Sequence, residues 1–237
     1  MKTLSKTLIA ASLFTLTAGS PAFAANYKVE VQNINRGIYF APLLISAHPT
    51  SAKTFTAGMA ASVNLQRVAE GGDIAGLTTD MTNVSAKVVA NPAGGLLAPG
   101  ASTMADLGEP GAANTHLTVV GMIVPSNDGF IALNNIHLPT APGIYVYTVN
   151  GYDAGTEAND EMRGGGAPGV AGFGVPAPLE MAVGTGATGI PDAVAEGFIH
   201  IHPGHIGDLN KTGGTSDLDA GLHRWLNPMA RVTVTVE

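Results

Sequence analysis

One stretch constrains the fold more than any other: Leu117-Thr-Val-Val-Gly-Met-Ile-Val124, nearly all apolar and rich in β-branched residues. It ends in the turn residues Pro125 to Gly129. A strand with one wet face alternates apolar and polar positions, and this one does not. The sequence therefore predicts a central strand packed on both sides, with something covering each face of its sheet.

Around it stand strands with ordinary alternation. Tyr27-Lys-Val-Glu-Val-Gln32 sends Tyr27, Val29 and Val31 to one face, and Ala230-Arg-Val-Thr-Val-Thr-Val236 sends Ala230, Val232, Val234 and Val236 to one face. Further strands are predicted at Ile38 to Ala47, where Pro42 argues for an edge or a bulge, and at Thr82 to Val89, Phe130 to Leu133, Gly143 to Val149 and Phe198 to His202. Ser62 to Glu70 is the best helix, with Ser62 as N-cap and Gly71-Gly72 as its stop. Arg163 to Gly197 is Gly/Pro-rich and reads as an irregular, mobile surface excursion. Strands outnumber helices, so the expected fold class is all-β, an antiparallel β-sandwich formed as a single domain over residues 25–237.

The first residues bear on location. Lys2 and Lys6 precede an apolar core from Leu8 to Leu16, and Ala22-Phe-Ala24 has the small-residue pattern of a cleavage site, so residues 1–24 read as a signal peptide of an exported protein, periplasmic or extracellular. No apolar run is long enough for a transmembrane segment. Taking Lys2 and Lys6 from the eleven basic residues leaves nine against eighteen acidic ones, a net charge near −9. Such a surface repels phosphates, which argues against nucleic acid as a partner. With no cysteine, the chain has no disulfides to staple its loops, and a bound cation is one candidate for that role.

The densest charge lies in Asp153-Ala-Gly-Thr-Glu157-Ala-Asn-Asp160-Glu161, between apolar strands. With Asp128 in the loop after the central strand, it offers hard oxygen ligands of the kind calcium collects. Solvated turns, in which Asp and Asn bond their own backbone, are the competing explanation. Val124-Pro-Ser-Asn-Asp-Gly-Phe130, Asp153-Ala-Gly-Thr-Glu157 and Pro228-Met-Ala-Arg-Val-Thr-Val234, in that order, resemble the spondin N-terminal domain family over most of residues 27–237. The resemblance implies a sandwich of the C2 type, a calcium ion and a role in adhesion. The calcium ligands carried over are the Asp128 and Asp153 side chains, an oxygen from Ser126, the Phe130 carbonyl and, by ungapped counting back from Ser126, Glu109. Glu157, Asp160 and Glu161 have no ligand role in that pattern and are expected to be solvated. The implied partner is an extracellular or envelope protein or glycan of unknown identity.

A second set of metal ligands is histidine-based. His200 and His202 alternate with isoleucines, so their imidazoles leave one strand face, and with His48 they are candidates for a copper site. His205 and His223, beside Trp225, lie close by in sequence. The competing reading is a polar edge with hydrogen-bonded histidines. Catalytic signatures are missing: no serine nucleophile elbow, no cysteine, no phosphate-binding loop and no His-Glu-x-x-His. The sequence points to a binding protein and not to an enzyme.

Overall fold

The computed structural model describes residues 25–237, so the signal-peptide reading of residues 1–24 lies outside the described residues. In chain order the elements are β1 (Tyr27–Asn33), β2 (Tyr39–Phe40), β3 (Leu44–His48), α1 (Val63–Gly71), α2 (Ala75–Asn83), β4 (Lys87–Ala90), β5 (Ser102–Gly108), β6 (His116–Val124), β7 (Gly129–His137), β8 (Gly143–Asp153), β9 (His200–Ile201) and β10 (Ala230–Val236). Every strand pairing is antiparallel, in the order β4-β3-β6-β7-β8-β10-β1-β5, with β2 on β6 and β9 on β8. The two ends of this path, β4 and β5, lie against each other. The sheet therefore curls into a nearly closed barrel, in which β4 and β5 face each other as the two edge strands without pairing. The all-β class holds.

β6 is central for the reason its sequence suggests. Leu117, Val119 and Ile123 point into the barrel, where they meet Val29, Val31 and Phe40. Its other face is also covered: Val120 packs under the helices with Leu65, Val68 and Leu77, and Met122 and Val124 pack against Phe173, Leu179 and Leu218. Each such aliphatic side chain, fully buried, stabilises by about 1.5–3 kcal/mol. β1 and β10 pair from Tyr27↔Val236 to Asn33↔Ala230, so their alternating valines form one wall of the core.

α1 begins and ends as its caps dictate. The Ser62 hydroxyl accepts the Leu65 N–H at 3.2 Å, and Gly72 closes the helix in the left-handed region at φ 67°. Pro42 interrupts the stretch from Ile38 to Ala47, which becomes two strands, β2 and β3. α2 was not expected. The strand predicted over Thr82 to Val89 begins as the end of this helix, and only Lys87–Ala90 pairs as β4.

The segment from 163 to 197 is irregular, as the sequence suggests, yet it is packed. Phe173 and Leu179 are fully buried against β6, and the Arg163 N–H donates to Asp217 at 2.8 Å. Glu157 accepts the Gly172 N–H, and Glu70 accepts that of Gly169. Buried or half-buried carboxylates gripping backbone N–H groups thus do much of the pinning that disulfides would do elsewhere. Among the described residues, no helix is long and apolar enough to cross a membrane.

Candidate metal centre

The two acidic loops and the histidine strand meet at one end of the barrel. β8 delivers Asp153 at its last residue, opposite Gly129 at the start of β7, while β9 places His200 directly opposite Asp153. Gly155 makes the closing turn at φ 67°, and a Cβ there would lie 2.4 Å from the Phe198 carbonyl oxygen. Only glycine permits both that conformation and that approach. The Gly197 N–H donates to the Gly155 carbonyl at 2.8 Å, and this contact swings Glu196 over the end of β8.

Asp153, Glu196 and His200 each present one ligand atom, all within 4.8 Å of one another. The His200 Nε2 lies 3.7 Å from Asp153 Oδ1 and 3.6 Å from Glu196 Oε2. Both gaps are too long for hydrogen bonds. They match donors sharing one ion, which at bond lengths of about 2.0–2.3 Å lie roughly 3.3–3.7 Å apart. The His200 Nδ1 sits 3.0 Å from the Ile201 carbonyl, which can only accept, so Nδ1 carries the hydrogen and Nε2 of the neutral ring presents a lone pair to two carboxylates. That arrangement calls for a proton or a metal ion between them. Glu196 Oε2 and His200 Nε2 are buried without hydrogen-bond partners. The group could hold a metal ion.

The electrostatics agree. Burial lowers the His200 pKa, but the Ile201 carbonyl and the charges of Asp153 and Glu196 outweigh it, and the net shift is upward. Burial pushes the Asp153 carboxyl up, against hydrogen bonds from Asn159 and Gly155. Asp128 is fully buried beside it and pushed up to about 7, first by burial and then by the charge of Asp153. Its Oδ2 accepts the Thr156 and Glu157 N–H groups at 2.7 and 3.1 Å, while its Oδ1 has no partner. Asp128 stands next to the Asp153/Glu196/His200 group and is not part of it.

The other expected ligands are placed differently. The Ser126 hydroxyl is spent in its own turn, donating to Ile123 at 2.7 Å and accepting from Gly129 at 3.0 Å. Phe130 is registered between β6 and β8, so its carbonyl belongs to the sheet ladder. Glu109 is at the wrong end: it lines a cavity with Tyr27, His137 and Leu138, whereas Asp153 pairs with Gly129 at the opposite end of β7. β7 is nine residues long, so its ends lie about 26 Å apart. His48 pairs with His116 at that same far end, so it cannot join His200. His202 is sunk against Trp225, with ring centroids 4.9 Å apart, and its Nδ1 accepts the Gly204 N–H. The copper set of His200, His202 and His48 is therefore not assembled.

Nor are the remaining loop acids solvated. Glu161 is 4 % exposed and accepts from the Ile206 and Gly207 N–H groups and the Ser216 hydroxyl. Glu157 and Asp160 are half-buried and both accept from the Asn127 amide. Sequence reasoning missed Glu196, whose one signal was its place four residues before His200. Comparison with known proteins adds no family, since no family model and no curated protein matches the chain.

Proposed function

We propose that the chain is an exported, non-enzymatic binding module whose loops at one end of the barrel are locked by a divalent ion held between Asp153, Glu196 and His200. The observation that carries this reading is the convergence of three ligand atoms within 4.8 Å, two of them buried without hydrogen-bond partners. An imidazole with two carboxylates is a mixed nitrogen and oxygen set, which suits a borderline ion such as zinc better than calcium. Calcium, needing six to eight oxygens, would have to recruit Asp128 Oδ1 and water. The spondin resemblance supports the adhesion role and an extracellular or envelope protein or glycan as partner. On that reading the curled sheet is a flattened barrel whose two walls are the layers of a C2-type sandwich.

The test is metal analysis of tag-free protein, with melting curves in zinc, calcium, copper and chelator. Zinc should raise the melting temperature most, and Glu196→Gln or His200→Asn should remove the rise. A melting curve indifferent to every metal would sink the proposal. Stoichiometric copper would favour copper handling instead, a reading supported by the imidazole at the site.

A further inference from the structure

We infer that the far end of the barrel carries a second metal site, a solvent-facing cross-strand pair of His116 on β6 and His137 on β7 that chelates a borderline divalent ion such as Ni2+, Cu2+ or Zn2+. The two residues are direct partners in the antiparallel register, and their ring centroids lie 5.2 Å apart. Directly opposed side chains on one sheet face are close enough to share one ion.

The tautomers favour binding. The His137 Nδ1 lies 2.8 Å from the Leu138 carbonyl, which only accepts, so Nδ1 holds the hydrogen and Nε2 is left with a lone pair. The His116 Nδ1 meets the Thr115 hydroxyl at 2.9 Å, a partner that can donate or accept, so Nε2 is the ring nitrogen left for an ion. Metal-binding histidines commonly fix their ring in this way, with the other nitrogen bonded to a carbonyl or another polar group. His137 is exposed and His116 half-buried, so an ion can enter from solvent.

A third histidine backs the pair. His48 stacks on His116 at 6.4 Å with both nitrogens occupied, Nδ1 toward the Pro49 carbonyl and Nε2 accepting from the Thr118 hydroxyl. It is fully buried and holds the His116 ring without binding metal itself. His137 also opens on a cavity of about 430 Å³ that it shares with Glu109 and Asn114. Water is the available oxygen for the ion's remaining positions, and Asn114 Oδ1 is buried at the cavity with no partner. The imidazole pair selects imidazole-loving ions over calcium and magnesium.

This site is independent of the one at Asp153, and the experiment keeps the two apart. In the full chain carrying His200→Asn, calorimetric titration with Ni2+ should show a single binding site. Adding His137→Asn should weaken it roughly a hundredfold, because the second imidazole binds as an intramolecular ligand. His137 is exposed, so the melting temperature without metal should not move. With Cu2+, electron paramagnetic resonance of the His200→Asn chain should show two nitrogen donors, falling to one on adding either His116→Asn or His137→Asn. No Ni2+ binding in the His200→Asn chain, unchanged affinity on removal of His137, or a single-nitrogen copper spectrum in the His200→Asn chain would overturn the inference.

Discussion

Replacing Asp128 by asparagine should stabilise the metal-free protein at alkaline pH. The Asp128 carboxyl is fully buried, and its pKa is pushed from the ordinary 3.8 up to about 7 by burial and by the charge of Asp153. With the folded pKa raised, the unfolded chain releases the proton first. Stability is therefore fully present below about pH 4 and is lost as the pH rises to about 7. At about 1.36 kcal/mol per unit, the loss approaches 4 kcal/mol. Asparagine cannot ionise, and its carbonyl oxygen can keep the bonds from the Thr156 and Glu157 N–H groups. Its amide nitrogen then replaces the unpartnered Oδ1. Urea denaturation in chelator at pH 8 should show the variant more stable by up to about 4 kcal/mol, and at pH 4.5 the difference should shrink to about 1 kcal/mol. An ion on Asp153 offsets the repulsion, so it should stabilise both chains but bind the parent more tightly, and metal should narrow the gap by that difference in affinity. A variant no more stable than the parent at pH 8 in chelator would refute the reasoning.

Other outcomes follow from the same geometry. Metal affinity at Asp153, Glu196 and His200 should fall with acidity, because His200 has a raised pKa and the ion competes with its proton; calorimetry in two buffers of different ionisation enthalpy should detect the proton released. His205, buried against Trp225, has its pKa lowered to about 4, chiefly by burial, so its contribution is present above about pH 6.5 and lost as the pH falls toward 4, about 3 kcal/mol in all. Denaturation of a His205→Asn variant beside the parent between pH 6.5 and 4.5 should show the parent losing more stability than the variant as the pH falls. Gly155→Ala should cost roughly 1–2 kcal/mol from its left-handed backbone alone and more from the clash with Phe198, and it should weaken metal binding by displacing Glu196; a thermal melt and a zinc titration would check both. Limited proteolysis should cut first in the exposed loop from Thr56 to Ala60 and spare Gly164 to Gly172, whose backbone is gripped by Glu157 and Glu70. Early cutting at Gly164 to Gly172 would show that this cover is loose.

Much of the fold was legible because its signals are local. The alternation of β1 and β10, the unbroken apolar run of β6 and the caps of α1 each describe a burial pattern that one segment carries by itself. α2 was not legible: the residue at its cap, Ile74, has no side chain that can accept, the Asp73 carboxylate one residue earlier takes the Ala75 N–H, and the helix is rich in threonine, whose hydroxyls bond back to carbonyls four residues earlier. Burial of Leu77 and Met81 against the sheet holds it, a tertiary cause that propensity does not report.

The site divides in the same way. By itself the sequence determined that Asp128 and Asp153 sit where strands end and that His200 lies on a strand, since turn chemistry and alternation are properties of neighbouring residues. It could not show that the acidic loop and the histidine strand are one site, or that Glu196 joins them. That depended on β9 pairing with β8 and on the Gly155 turn touching Phe198, contacts between segments far apart in the chain. Counting back along the chain put Glu109 at the calcium loops, but it follows the end of β5, where Gly108 pairs with Tyr27, and the length of β6 separates it from them. Which ligands share an ion is decided by sheet register, and register is fixed only when all the strands bury their apolar faces together.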